Sequence, residues 1–73
     1  MTDLLTPDYY KGKTGLQPKQ LIKDFDLDFF LGNVVKYVCR AGKKPGTTKL
    51  DDLIKAKDYL NEEIEKERTI ENA

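Results

Sequence analysis

The sequence has no histidine and only one cysteine, Cys39, among its 73 residues. A single cysteine excludes an intrachain disulfide framework, and without histidine the usual structural zinc sites are excluded as well. The same absences remove the Ser–His and Cys–His arrangements of nucleophilic catalysis, together with the commonest general base. There is no run of about 18 apolar residues and no start that resembles a signal peptide, so we expect a cytoplasmic protein with no membrane partner.

A chain of 73 residues has room for one domain, which we take to span residues 1–73. A domain of this size buries only about 60% of the surface that its unfolded chain exposes. Such domains usually depend on a disulfide, a metal or a partner subunit. Since disulfides and zinc are excluded here, we expect homo-oligomerisation to complete the core.

The charges are balanced overall, with 13 Lys+Arg and 13 Asp+Glu, but they are segregated along the chain. Residues 29–50 carry five basic side chains and no acidic one, whereas residues 51–73 carry four basic and eight acidic side chains. A basic segment in a neutral protein favours a small anionic ligand over nonspecific binding to nucleic acid. The alternative is that the two segments neutralise each other across an interface.

Helix-breaking residues and the spacing of apolar residues predict an all-α fold: a small three-helix domain with an extended N-terminal arm. We expect the arm at 1–17, the helices within 18–68 and a frayed tail at 69–73. The helices are predicted at Pro18–Phe25, from Asp26 or Asp28 to Ala41, and from Thr48 to about Arg68. Proline favours a first helical turn, and the spacing of Thr48 and Asp51 matches a capping box. Helix two is apolar over most of its circumference, which is typical of a central or interface helix.

The strongest candidate binding site lies on helix two. Spacings of i, i+3, i+4 and i+7 place four polar residues on one face, and two lysines continue it beyond the helix end. The six residues are Asn33, Lys36, Tyr37, Arg40, Lys43 and Lys44. Guanidinium and ammonium groups bind phosphate, and tyrosine and asparagine suit a sugar or a base. Alternatively, Asn33 caps or hydrogen-bonds a neighbouring chain. Lys36 and Arg40 would then pair with carboxylates of helix three: Asp51, Asp52 or Asp58.

The arm adds two adjacent tyrosines to this candidate site. Neighbouring side chains of an extended segment point in different directions, so one ring can pack while the other faces a ligand. We therefore include Tyr9, Tyr10 and Lys11 among the ligand-binding residues. The glycines after helix two do not form a Walker loop, because only three residues separate Gly42 from Gly46.

Carboxylates of helix three form a second candidate site, for Mg²⁺. Two convergent carboxylates could hold this ion against a bound phosphate, and Asp58 and Glu62 are the candidate ligands. The alternative is chance, because a charge-rich helix often places acids on one face. We expect no cofactor to be required, and Mg²⁺ is the one candidate.

Two blocks of the sequence resemble a known family. They are FFLGNVVKYVCRAGKK at 29–44 and DLIKAKDYL at 52–60. The pattern G-N-x-x-K-Y-x-x-R-x-G-K-K, followed by D-L-x-K-A-x-x-Y-L, is similar to that of small bacteriophage proteins. These were long described as a domain of unknown function and are labelled SaV-like nucleotide kinases. The resemblance covers Pro7 to Leu60 and implies contact with a nucleotide; where the family's arm has a histidine, this sequence has Tyr9.

Two functions of different classes are compatible with these features. The first is a homo-oligomeric binder in the host cytoplasm, which sequesters a nucleotide or a nucleotide-derived signal of antiphage defence. The second, implied by one member of the wider group, is a nucleoside monophosphate kinase without a P-loop. In that case Lys36, Arg40 and Lys43 would stabilise the transferred phosphoryl group, and Asp58 would hold Mg²⁺. An effector that binds nucleic acid or a host protein is the weakest of the three hypotheses.

Overall fold

The computed structural model describes residues 7–72. A single 3₁₀ turn, Asp8–Tyr10, is followed by three helices: α1 (Pro18–Asp24), α2 (Phe29–Arg40) and α3 (Lys49–Glu71). No strand occurs between residues 7 and 72. The predicted all-α class and the three helices are thereby confirmed. The first six residues of the predicted arm lie outside the described part of the chain.

Each helix begins at a residue that the sequence marks as a start. Pro18 occupies the first turn of α1. Asp28, one of the two predicted caps, begins α2 by accepting a hydrogen bond from the Leu31 N–H at 2.9 Å. Thr48 and Asp51 form the predicted reciprocal capping box of α3, with both hydrogen bonds at 3.0 Å.

After α1 and after α2 the chain turns through a residue with a left-handed backbone conformation. After α1, Asp26 adopts a φ of +52°, a left-handed conformation that aspartate tolerates better than most residues. Asp26 therefore belongs to the turn after α1 and does not cap α2. After α2, Gly42 has a φ of +77°, and a Cβ added there would lie 3.2 Å from the Lys49 Cβ. A glycine is required at this second turn for both reasons.

α2 and α3 form an antiparallel hairpin, and α1 packs on the other side of α2. Arg40 at the end of α2 pairs with Asp52 near the start of α3. Asp28 at the opposite end of α2 pairs with Lys66 at 2.6 Å. Gly32 faces α1, where a Cβ would meet the Ile22 side chain at 3.4 Å. The neighbour that approaches this glycine is therefore a side chain of α1.

α3 extends further than the sequence predicted. It continues to Glu71, beyond the expected end at Arg68. The Thr69 hydroxyl donates to the Glu65 carbonyl at 2.9 Å, and the Asn72 N–H donates to the Arg68 carbonyl at 3.0 Å. These hydrogen bonds carry the last turn through the segment that was expected to fray.

Few apolar side chains of the described chain are fully buried. Ala56 and Pro18 are buried, most apolar residues of α1 and α2 are half-buried, and Gln17, Arg40 and Asp52 are buried polar residues. The sequence located the excess apolar surface on helix two, yet only Phe29 and Val38 of that helix are exposed. The larger exposed apolar set lies on α3 instead. None of the helices within residues 7–72 is both long and apolar enough to span a membrane.

Candidate functional site

A buried ion pair joins the two helices of the hairpin below the candidate site. The Arg40 guanidinium donates to the Asp52 carboxylate from Nη2 at 2.6 Å and from Nε at 3.2 Å. The Gly42 N–H donates to the other carboxylate oxygen at 3.4 Å. The Arg40 side chain is 4% exposed and that of Asp52 is fully buried. The hydrogen bond from Arg40 lowers the pKa of the Asp52 carboxyl from its ordinary value.

The same guanidinium reaches the arm and an aromatic ring. Arg40 Nη1 donates to the Tyr10 hydroxyl at 3.3 Å, and the guanidinium carbon lies 4.6 Å from the centroid of the Tyr37 ring. Of the two roles considered for Arg40, the ion pair with a carboxylate of helix three is therefore present in the structure. Its contact with Tyr10 makes Arg40 a positioning residue for the arm.

Tyr10 lines two adjoining cavities between the arm, α1 and α2. The first, of about 190 Å³, also has Pro18, Ile22 and the lysines Lys19 and Lys36 in its lining. The second, of about 300 Å³, is lined by three further lysines: Lys11, Lys13 and Lys43. No aspartate or glutamate of residues 7–72 lines either cavity. The surroundings of Tyr10 therefore combine one aromatic ring with five lysines and no lining carboxylate.

Lys36 is the lysine most closely associated with aromatic rings. Its ammonium lies 5.9 Å from the centroid of the Tyr10 ring and 5.1 Å from that of Tyr37. It forms no salt bridge with any carboxylate in the described chain, so its charge is available to an anion. Lys36 also lines a groove of about 250 Å³ with Asn33, whose Nδ2 donates to the Phe29 carbonyl at 2.8 Å.

The remaining predicted residues have local partners. The Tyr9 ring packs on that of Tyr10, with centroids 4.8 Å apart. Lys11 lies 3.7 Å from the exposed carboxylate of Asp8. The Lys43 ammonium donates to the Cys39 carbonyl at 2.9 Å, as expected at the negative end of a helix dipole. Lys44 is half-buried and lines neither cavity. The structure thus brings Tyr10, Lys11, Lys36 and Lys43 together and leaves Lys44 outside.

The candidate Mg²⁺ ligands lie at a different cavity, beyond the Tyr37 ring. Asp58 and Glu62 line it together with Lys55 and Tyr59, and its volume is about 340 Å³. Tyr59 stacks on Tyr37 with centroids 5.8 Å apart. Nowhere in residues 7–72 do three or more acidic or cysteine side chains converge as a metal site would require. Two carboxylates beside an ammonium are a poor set for Mg²⁺ alone, so this ion stays a prediction that needs a phosphate as co-ligand.

Sequence reasoning missed Lys13 and Lys19. Both lie in residues 9–23, which carry four lysines and no acidic residue. Over residues 1–28 as a whole this signal is hidden, because the flanking aspartates cancel the charges of the lysines. The acid-free segment faces the second one, 29–50, across the two cavities at Tyr10.

Comparison with protein-family models matches residues 5–61 to a family described as a protein of unknown function, DUF3310. This range contains every residue that lines the two cavities at Tyr10. No curated protein and no solved structure matches the chain.

Proposed function

The chain belongs to the DUF3310 family of unknown function, and from the geometry of its site we propose that it is a small nucleotide-binding protein whose ligand lies beside Tyr10. The observation that carries this proposal is the set of lysines around the two cavities. Five lysines line them, and no carboxylate of residues 7–72 does. A small concave site surrounded by positively charged side chains favours an anionic ligand. Phosphate accepts hydrogen bonds from several ammonium groups at once.

The walls of the first cavity suit a planar ring. Tyr10, Pro18 and Ile22 supply apolar and aromatic surface, and Lys19 and Lys36 line the cavity almost entirely with their aliphatic stems. Its volume of about 190 Å³ exceeds that of cavities of about 150 Å³ that accept a benzene-sized ring. The second cavity adjoins it through Tyr10, Gln17 and Pro18 and carries Lys11, Lys13 and Lys43. A nucleotide with its base in the first cavity and its phosphate in the second would occupy both cavities.

Binding without turnover is favoured over phosphoryl transfer. A kinase needs a carboxylate near the transferred phosphate to hold Mg²⁺. Asp58 and Glu62, the candidates for that role, line the separate cavity behind Tyr37. Arg40, a candidate for stabilising the transferred group, has its guanidinium occupied by Asp52 and Tyr10. We therefore place the nucleoside monophosphate kinase second, and a nucleic-acid or host-protein effector third.

The biological setting of the proposal comes from the sequence resemblance. The similar proteins belong to bacteriophages, so we propose that this chain acts in the host cytoplasm as a homo-oligomer that sequesters a nucleotide or a nucleotide-derived defence signal. The scarcity of buried apolar residues supports the homo-oligomer.

The test uses the purified full-length chain. Small molecules released by heat denaturation are identified by mass spectrometry, and the protein is then titrated calorimetrically with AMP and with adenosine. We expect a released nucleotide and phosphate-dependent binding, with adenosine much weaker than AMP. Lys36→Met should weaken AMP binding roughly tenfold to a hundredfold, as expected for the loss of a charge-assisted hydrogen bond. The matched control is Lys23→Met, because Lys23 is exposed and lines neither cavity.

Two outcomes would separate or overturn the hypotheses. Conversion of ATP and a nucleoside monophosphate to diphosphates in the presence of Mg²⁺ would establish the kinase instead of the binder. Absence of any released nucleotide, together with no heat of binding for AMP, ATP or inorganic phosphate, would overturn nucleotide binding altogether.

A further inference from the structure

The long helix α3 exposes an apolar stripe along one side. Spacings of three, four and seven residues place five aliphatic side chains on this side, and each is 38–64% exposed: Leu50, Leu53, Ile54, Leu60 and Ile64. The side of α3 that packs against α2 is different. It carries the buried Asp52 and Ala56 and the half-buried Tyr59 and Glu63. The stripe therefore lies beside the side of α3 that packs against α2 and stays partly exposed.

α2 is too short and too narrow to cover both sides of α3. With 12 residues, α2 is about 18 Å long, whereas α3 with 23 residues is about 34 Å long. α1 packs on α2, so no further helix of residues 7–72 shields the stripe. Contiguous exposed apolar surface on a small soluble domain marks an interaction site.

We propose that the stripe is covered by the same stripe of a second copy of this chain, with the two α3 helices antiparallel. The inference rests on the homo-oligomer of the proposed function and names its surface. In such a two-fold symmetric dimer, the same surface of each copy forms the interface. Two antiparallel helices also oppose their macrodipoles favourably.

Charge complementarity selects the antiparallel direction. Lys49 flanks the stripe at the beginning of α3 and Glu67 flanks it near the end. They are 18 residues apart, which is about five helical turns, so both project from the same side of the helix. Neither forms an ion pair within residues 7–72. An antiparallel dimer brings Lys49 of each copy towards Glu67 of the other, whereas a parallel one would leave each Lys49 about five helical turns from the other copy's Glu67.

A second copy fits the stripe better than a lipid surface does. Helices that lie on membranes carry excess lysine and arginine on the polar face. α3 instead carries eight acidic residues and five basic ones. Lys57 lies within the stripe, and its aliphatic stem can cover apolar surface while its ammonium stays in water.

The first experiment measures the mass of the full-length chain by sedimentation at micromolar concentration. Wild type is expected at twice 8.4 kDa, and Ile64→Lys is expected at the monomer mass with its helical circular dichroism retained. The matched control is Thr69→Lys, which adds the same charge on a different side of α3 and should stay dimeric.

The second experiment tests direction and does not depend on the apolar variant folding. Lys49→Glu and Glu67→Lys are each expected to weaken the dimer at least several-fold, and the double variant is expected to restore it. Single variants that dissociate without rescue in the double variant would overturn the antiparallel arrangement. An oligomer unaffected by Ile64→Lys would overturn the stripe but leave the homo-oligomer intact. A monomeric wild type would overturn both, without bearing on the AMP titration.

Discussion

At the scale of single residues, Arg40 links three parts of the molecule through one side chain. It pairs with Asp52 of α3, donates to Tyr10 of the arm and lies over the ring of Tyr37. A buried pair of this kind adds little stability compared with apolar residues, but losing one partner leaves a buried charge without compensation. The effect of substituting Arg40 should therefore be large and should fall first on folding.

Arg40→Ala is expected to lower the free energy of unfolding by about 3–5 kcal/mol, because the Asp52 carboxylate stays buried without its partner. Arg68→Ala is the matched control: its pair with Glu65, at 2.9 Å, is exposed, and its loss should cost less than about 1 kcal/mol. Urea unfolding followed by circular dichroism measures both. Arg40→Lys should recover only part of the loss, since an ammonium cannot reproduce the guanidinium contacts. Equal stability of Arg40→Ala and wild type would contradict the role assigned to the pair.

A pair of Tyr10 variants separates the ring from the hydroxyl. Tyr10→Phe keeps the aromatic wall of both cavities and removes only the acceptor of the Arg40 hydrogen bond. Tyr10→Ala removes the wall as well. We expect AMP affinity to fall at least several-fold in Tyr10→Ala and to change much less in Tyr10→Phe, as measured by calorimetry. Wild-type affinity in both variants would remove the arm from the site.

At the scale of elements, the hairpin is held at one end by an electrostatic contact that depends on pH. Asp28 caps α2 through the Leu31 N–H and also accepts a hydrogen bond from Lys66 of α3. The hydrogen bond from Lys66, followed by that from the Leu31 N–H, lowers the pKa of the Asp28 carboxyl from 3.8 to about 2. The unfolded chain takes up this proton at a higher pH than the folded chain does, so acid favours unfolding.

Asp28→Asn is expected to be less stable than wild type at neutral pH, because the side chain loses its charge and its ion pair with Lys66. The contribution of the Asp28 carboxylate is complete above about pH 4 and is lost as the pH falls towards about 2. The difference in stability between the two proteins should therefore shrink across that window, in thermal unfolding at a series of pH values. Asp52→Asn provides the comparison, because the pKa of the Asp52 carboxyl is also lowered, in this case by the buried Arg40 guanidinium. A constant difference between wild type and Asp28→Asn from pH 7 to pH 2 would contradict the assignment.

At the scale of the whole molecule, the monomer has a small apolar core. Most apolar residues of α1 and α2 are half-buried, few are fully buried, and the aliphatic stripe of α3 is exposed. If folding and association are coupled through that stripe, stability becomes a function of protein concentration.

The melting temperature should rise when the protein concentration increases from about 1 to about 100 µM, by on the order of 5 °C for a domain of this size. Lys57→Leu should raise it further, because it completes the stripe with an apolar side chain. Ile64→Lys should remove the concentration dependence. Scanning calorimetry or circular dichroism provides the measurement, and a wild-type melting temperature that is independent of concentration would argue against coupled association.

The helices were predictable because their signals are local. Pro18 in a first turn, the reciprocal box of Thr48 and Asp51, and the stop at Gly42 each depend on residues within one turn of a boundary. The end of α3 was not predictable, because the last turn has weak propensity signals and is closed by hydrogen bonds such as that of Thr69 to Glu65. Local chemistry therefore determined starts better than ends.

The site was only partly predictable, because its geometry depends on how the elements meet. The face of helix two was identified, but the sequence left three carboxylates open as partners of Arg40, and only the packing of α2 on α3 selects Asp52. Lys13 and Lys19 were missed because they come to line the cavities at Tyr10 only when the arm and α1 fold onto α2. Periodicity places the aliphatic residues of α3 along one side of the helix, but it does not tell what covers them.

The hydrogen bond from Arg40 to Tyr10 has a consequence for the order in which the molecule opens. It joins residues 30 positions apart, whereas the Arg40–Asp52 pair joins residues 12 apart within the hairpin. The longer loop costs more entropy to close, and the arm has few other contacts, so the arm should detach in partial opening events that leave the hairpin folded. Because Tyr10 lines both cavities, such events would expose the ligand, and a ligand that spans Tyr10 and Lys36 would suppress them. Occupancy should then be readable as slower hydrogen exchange at arm amides such as that of Gly12, which donates to the Leu16 carbonyl at 2.7 Å.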